Sequence, residues 1–257
     1  MNELLLRLDA AQAAARLSGR MLTRRPSFHI ENKAPRDFVT DMDRLSERTI
    51  IEALQARFPE DGFFGEEGGL RRQARGMWVI DPIDGTTNFV KDIPTYTISI
   101  AYVVEDDIRV GVVYAPALDE MYTAVKGGGA FRNGAPVHVS DVSDPMSAVI
   151  GVSFVHNVSE VSARVRPQLM SLLTQVNDLR RLGSAAFDLC SVACGRLDGF
   201  VEPCLKLYDV AAGVLILREA GGIVTGWDEG EDPLKTGSIM ASNGLLHDFL
   251  FQRFTLK

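Results

Sequence analysis

A chain of 257 residues is long enough to bury a sizeable core, as one large domain or two intimately joined halves. Apolar residues make up 46% and charged residues 24%, the balance of a soluble globular protein, and no apolar run approaches a bilayer span. The net charge of -7 argues against a broad nucleic-acid surface and would repel an anionic substrate unless bound cations reversed the sign locally.

The opening stretch MNELLLRLDAAQAAARL places Leu4, Leu8, Ala11 and Ala15 at helical spacing. With Glu3 and Asp9 in it, it lacks the basic head and cleavage site of a signal peptide, so it reads as a first structural helix and leaves a cytoplasmic location as the default. The chain then passes through a loop and a short extended piece into a second helix. There Thr40 with Asp43 fits a capping box, and Ile50, Ile51, Leu54 and Phe58 form the buried stripe. FFGEEGG sets Glu66 and Glu67 on a glycine-flanked turn, and MWVI reads as a buried strand that Pro82 should end, because proline cannot donate to a ladder. The run from Thr95 to Val125 reads as a meander, and Asn133-Gly134 turns the chain into one more strand.

The second half alternates differently. SAVIGVSF is a strand, Arg164 to Val176 a helix, DLRRLGS a strand entering a loop, and AAFDLCSVACGRL a helix. DGFVEP is a strand, VAAGVLILREAGG a helix closed by glycines, IVTGW a strand and NGLLHDFLFQRF a terminal helix. Helices and sheets in layers, with both meander and crossover connections, indicate a mixed α/β or α+β sandwich. The expected division is an N-terminal α+β half, 1–142, and a C-terminal α/β half, 143–257, joined near Ser140 to Pro145 in one compact unit. Cys190, Cys194 and Cys204 are few and odd in number, so no disulfide framework is implied, and the first two read as buried thiols on one helix face.

The chemistry concentrates in WVIDPIDGTTNFV. Asp81 and Asp84 flank Pro82, and a bend there can turn both carboxylates and the Ile83 carbonyl towards one point. Hard oxygens of that kind suit Mg²⁺ better than zinc. Gly85 frees the backbone, and a helix starting at Thr86-Thr87-Asn88 would offer amides to a phosphate. The D-x-D-G-T spacing of haloacid-dehalogenase phosphatases is absent, which speaks against a phospho-aspartate mechanism. A plain alternative is that Asp84 only caps the next helix. Glu66 or Glu67 could hold a second cation, or both could belong to a solvated acidic loop. Asp209 precedes a nearly all-apolar helix, where it is either a cap or a cleft residue.

Taken together, GEEGG, WVIDPIDGTTNFV and LYDVAAGVLILREAGG resemble the inositol monophosphatase family in order and spacing, and DFVTDMDRLSE looks like its N-terminal motif. The resemblance spans nearly the whole chain and implies a layered αβαβα sandwich. It implies one Mg²⁺ on Glu66, Asp81 and the Ile83 carbonyl, a second on Asp81, Asp84 and Asp209, and a third on Glu66 and water. Thr86, hydrogen-bonded to Asp43, would orient the attacking water with Glu66, and the Gly85 and Thr86 amides would contact phosphate. Lys33 would lie near the metals, within a KAPRD stretch one residue shorter than in some relatives. Similar enzymes are inhibited by Li⁺ and form homodimers.

For the alcohol, Glu202 matches the family position that binds ring hydroxyls, and GSAAF resembles the loop bordering that pocket. Gly183, Ser184, Ala185, Glu202 and Asp209 are therefore expected to contact substrate, with inositol 1-phosphate preferred. Tyr208 stands where many relatives carry Trp, and LYDVAA also resembles members that hydrolyse histidinol phosphate. Others accept fructose 1,6-bisphosphate or nucleotide 3'-phosphates. From a different class, some bacterial relatives bind transcription machinery.

Overall fold

The computed structural model describes residues 2–34, 37–153 and 159–254. Helices α1 (Asn2–Thr23) and α2 (Asp41–Arg57) are separated by a hairpin of β1 (Ile30–Ala34) and β2 (Asp37–Thr40), so the expected extended piece is two paired strands. β3 (Gly62–Gly65), β4 (Gly69–Arg72) and β5 (Gly76–Asp84) lead to the short helix α3 (Thr86–Val90). The meander follows as β6 (Thr97–Val104), β7 (Asp107–Ala115) and β8 (Glu120–Val125), with β9 (Ala130–Arg132) and β10 (Ala135–Pro136) turning at Asn133-Gly134. These strands make one sheet of eight in the order β10-β9-β8-β7-β6-β5-β3-β4, antiparallel except where β3 runs parallel to β5.

The later elements are β11 (Val149–Val152), α4 (Ser159–Leu172), β12 (Asp178–Arg180), α5 (Ala185–Ala193), β13 (Gly199–Glu202) and α6 (Leu207–Glu219). After them come β14 (Ile223–Thr225), the single turn α7 (Pro233–Thr236), β15 (Ile239–Ser242) and α8 (His247–Phe254). The second sheet has the order β12-β11-β13-β15-β14. α4 begins and ends several residues before the expected span; Pro167 lies inside it, and the chain has left the helix by Val176.

Side-chain alternation explains the layers. Trp78 and Ile80 of β5, with Ile98 and Ile100 of β6, point into a core shared with Ala11, Ala15, Ile50 and Leu54 of α1 and α2. Val79, Ala101 and Val113 point the other way, into a core built on α5 and α6. The far face of the second sheet packs Ile150, Val201 and Met240 against Leu169 of α4 and Leu250 of α8. The order is helix, sheet, helix, sheet, helix. The middle layer is buried on all sides, and its two helices meet closely because a Cβ on Gly213 would lie 2.8 Å from Leu189 Cδ1. Cys190 is buried, Cys194 half-buried and Cys204 exposed, all as free thiols. Among the described residues, no helix is long and apolar enough to cross a membrane.

Candidate active site

Pro82 does not end β5. The ladder to β6 breaks after Asp81↔Ser99 and resumes at Asp84↔Thr97, so Pro82 and Ile83 form a bulge inside the strand. A bulge tolerates proline because its extra residues need no ladder partner, and it re-aims the side chains beside it. Asp81 Oδ1 accepts the Ile83 N–H at 3.0 Å across the bulge. Beneath it, Ser46 of α2 donates to the Pro82 carbonyl at 3.0 Å, with Ser18 of α1 2.7 Å from the Ser46 hydroxyl.

Asp84 does not cap the next helix. That position belongs to Gly85, whose backbone is left-handed (φ 91°) and which makes no side-chain cap. Only glycine fits there without strain, and a Cβ would lie 2.9 Å from the Gly183 carbonyl. Asp84 Oδ2 instead accepts the Ser184 hydroxyl at 2.6 Å and the Ala186 N–H at 2.7 Å, both at the start of α5. Asn88 likewise serves neither as cap nor as surface residue: its amide donates to the Thr95 carbonyl at 2.6 Å and the Leu182 carbonyl at 2.7 Å.

On α2, the Thr40–Asp43 capping box is present, with Asp43 Oδ2 accepting the Thr40 N–H and hydroxyl at 2.8 and 2.6 Å. Asp43 Oδ1 accepts the Thr86 hydroxyl at 3.0 Å, which also lies 3.1 Å from the Ile83 carbonyl. Asp209 does not precede α6 but stands in its first turn, where it accepts the N–H of the N-cap residue Lys206 at 2.6 Å.

These segments enclose a cleft of about 510 Å³ lined by Glu66, Asp81, Ile83, Asp84, Gly85, Thr86, Gly183 and Asp209, together with Phe38, Asn88 and Arg181. Ser184 and Ala185 stand behind Asp84, outside that lining. Glu202 stands outside it as well, where burial raises its carboxyl to about 7 against a hydrogen bond from Ser153. Lys33 lies on β1 with its side chain outside the described part of the structure. Glu67 follows Glu66 in the turn between β3 and β4 and adds negative charge near Asp43.

Burial raises the Asp81 carboxyl well above its usual range, and the charges of Glu66, Asp84 and Asp209 push it further. Burial likewise raises Asp209, with Asp84 next, and lifts Asp84 to about 6 against its hydrogen bonds. Among the described residues, no three Asp, Glu, His or Cys side chains close on a point as a ready metal cage. The donor set nevertheless fits a hard divalent cation: carboxylate oxygens and a carbonyl, with no thiol or imidazole among the lining residues.

The sequence reading missed two residues. Arg181 brings a guanidinium to the acidic cleft, and no motif marked it. Glu47 holds the turn that carries Glu66 and Glu67; its place one helical turn after Asp43 was the available signal.

A bulged strand, a left-handed glycine and carboxylates from three separate segments thus meet on one cleft of a five-layer sandwich. Residues 4–255 match the inositol monophosphatase family, and the chain belongs to it. It is 39% identical over 251 residues to the inositol-1-monophosphatase of Mesorhizobium japonicum, covering 95% of this chain and 94% of that one. It is 38% identical to the Nus factor SuhB of Pasteurella multocida, over 94% of this chain and 92% of that one. The crystal structure of the extragenic suppressor protein suhB from Bartonella henselae superposes with a TM-score of 0.92 at 35% identity, covering 96% of this chain and 97% of that one.

Proposed function

We propose that the protein is a Mg²⁺-dependent, Li⁺-inhibited phosphatase of small polyol phosphate monoesters, with inositol 1-phosphate as the preferred substrate. The observation that carries this reading is the gathering of Glu66, Asp81, Asp84 and Asp209 on one cleft beside Gly85 and Thr86. Glu66, Asp81 and the Ile83 carbonyl would hold one Mg²⁺, Asp81, Asp84 and Asp209 a second, and Glu66 with water a third. When bound, Mg²⁺ supplies the positive charge that stabilises phosphoryl oxygens and acidifies water. The Thr86 hydroxyl, held by Asp43, orients a water with Glu66 and accepts its hydrogen bond while Glu66 draws off the proton. Backbone amides of Gly85 and Thr86 contact the phosphate. Glu202 takes ring hydroxyls, Gly183, Ser184 and Ala185 border the alcohol, and Lys33 lies near the metals. No covalent phospho-enzyme is formed.

The test is phosphate release with and without Mg²⁺ from inositol 1-phosphate, histidinol phosphate, fructose 1,6-bisphosphate and adenosine 3',5'-bisphosphate, with Asp84→Asn as control. Preference for inositol phosphate, lost in the variant, supports the whole reading. Preference for histidinol phosphate or fructose 1,6-bisphosphate overturns the role of Glu202 and keeps the chemistry.

A second reading rests on the relatives named Nus factor SuhB. In it the chain acts as a partner of the transcription machinery, and Asp84→Asn would abolish catalysis while leaving that association intact. The family likeness also favours a homodimer, which light scattering on the eluting protein would exclude if it returned the mass of one chain.

A further inference from the structure

We propose that Glu47 is a positioning residue for Glu66, fixing through the backbone where that carboxylate stands and so how tightly the cleft binds Mg²⁺. This rests on the reading of Glu66 as a metal ligand.

Glu47 projects from α2 and is 1% exposed. Its two oxygens accept the N–H groups of the turn: Oε2 that of Glu67 at 2.8 Å, Oε1 that of Gly68 at 3.0 Å. Arg71 on β4 adds a third donor at 3.1 Å, which compensates the buried charge. The other end of the turn is tied where the Glu66 N–H donates to the Ile80 carbonyl at 3.1 Å, one residue before Asp81. Glu66 thus sits between a bond to the Asp81 strand and a pair of bonds to Glu47.

The glycines flanking the acidic pair leave the room that this carboxylate and, at Gly68, its Arg71 partner occupy. A Cβ on Gly65 would overlap Glu47 Oε2, and one on Gly68 would lie 2.7 Å from both Glu47 Oε1 and Arg71 Nε. Neither has a left-handed backbone, so the requirement is space and not conformation. Glu47 also shares a helix face with Asp43 and Ser46, at i, i+3 and i+4. Asp43 grips Thr86, Ser46 grips the Pro82 carbonyl and Glu47 grips the Glu66 turn. One rigid face of α2 therefore sets the relative places of three walls of the cleft. Partners that orient metal ligands in this way change metal affinity by about 10–100-fold when removed.

The experiment is calorimetric titration of Mg²⁺ alone into the parent, Glu47→Gln, Gly68→Ala and Asp84→Asn proteins, with thermal midpoints and hydrogen exchange of the Glu67 and Gly68 amides. Glu47→Gln keeps the size but turns an amide NH₂ onto the turn's own donors; Gly68→Ala keeps Glu47 and crowds both it and its Arg71 partner. Both are expected to bind Mg²⁺ about tenfold more weakly or worse, to exchange the two amides faster, and to regain turnover at high Mg²⁺ with the ester KM unchanged. A folded Glu47→Gln protein with the parent's Mg²⁺ affinity, whatever its thermal midpoint, overturns the proposal, and if that variant does not fold, Gly68→Ala decides by the same criterion. Parent binding lost in Asp84→Asn secures the metal reading independently. A parent that binds no Mg²⁺ removes that reading and this inference together.

Discussion

The Thr86 hydroxyl and the Asp43 carboxylate, 43 positions apart, meet at 3.0 Å, and the same carboxylate caps α2 through Thr40. Asp43 is buried, and burial raises its pKa while the two threonines hold it down. One side chain is therefore both a structural cap and the holder of a cleft hydroxyl. Thr86→Val preserves shape and removes only that hydroxyl. We expect kcat to fall by about 10²-fold or more with the thermal midpoint little changed. Phosphate release and a circular-dichroism melt check this; a rate near the parent's would show that Thr86 does not handle the water.

Mg²⁺ should stabilise the fold. The crowded cleft carboxylates repel one another when bare, and a ligand that binds only the native state at a hundredfold excess over its Kd adds about 2.7 kcal/mol. The midpoint should rise by roughly 5–10 °C between chelator and saturating Mg²⁺. Asp81→Asn should lose most of that rise, yet be at least as stable as the parent in chelator, since it relieves the charge next to Glu66, Asp84 and Asp209. A parent whose melt ignores Mg²⁺ would defeat the expectation.

His247 should make stability fall on acidification. Thr225 donates its one hydroxyl proton to the Gly226 carbonyl, so it accepts from His247 Nε2–H at 3.0 Å, and Nδ1 accepts from Ser242 at 3.0 Å. The ring is held neutral, and burial lowers its pKa from 6.5. A lowered pKa gives stability that is present above about pH 6.5 and lost as pH falls through the folded value. Urea midpoints between pH 8 and 5 should decline in the parent and decline less in His247→Gln; equal slopes would refute the assignment.

Arg7 should be costly to remove. Its guanidinium lies between the rings of Phe58 and Tyr102, at 4.6 and 4.3 Å, and pairs with Asp61 at 3.1 Å, whose other oxygen accepts the Trp78 indole N–H. Arg7→Ala leaves Asp61 buried without its cation, which costs about 3–5 kcal/mol. A loss below about 1 kcal/mol in urea unfolding would mean that the aromatic packing, not the pair, holds this corner.

The features legible from residue patterns alone are local, whereas the meeting of Thr86 with Asp43 follows only from the family resemblance. The Thr40–Asp43 box, the first helix and the Asn133-Gly134 turn depend on neighbours a few positions away, and all three are present. Pro82 does not end the strand because that rule concerns an unbroken ladder, and a bulge removes the condition. The partners of Glu47 lie 20, 21 and 24 positions on, and Asp61 lies 54 from Arg7. Such pairings are made by the packing of layers, which no local pattern encodes. Asp84 carried a local alternative, a helix cap, and only the position of α5 decided against it.

The grip of Ser184 and Ala186 on Asp84 spans 100 and 102 positions of chain. At ordinary rates of translation, Asp84 is synthesised about 5–20 s before the residues that hold it. Asp81 and Glu66 are made in the same early stretch, and Asp209 arrives last of the four. A nascent chain thus carries an unfinished acid pocket that cannot mature until both sheets have docked on α5 and α6. Ribosome-bound chains stopped between these points would hold most of the cleft's acids while lacking the clamp that aims one of them.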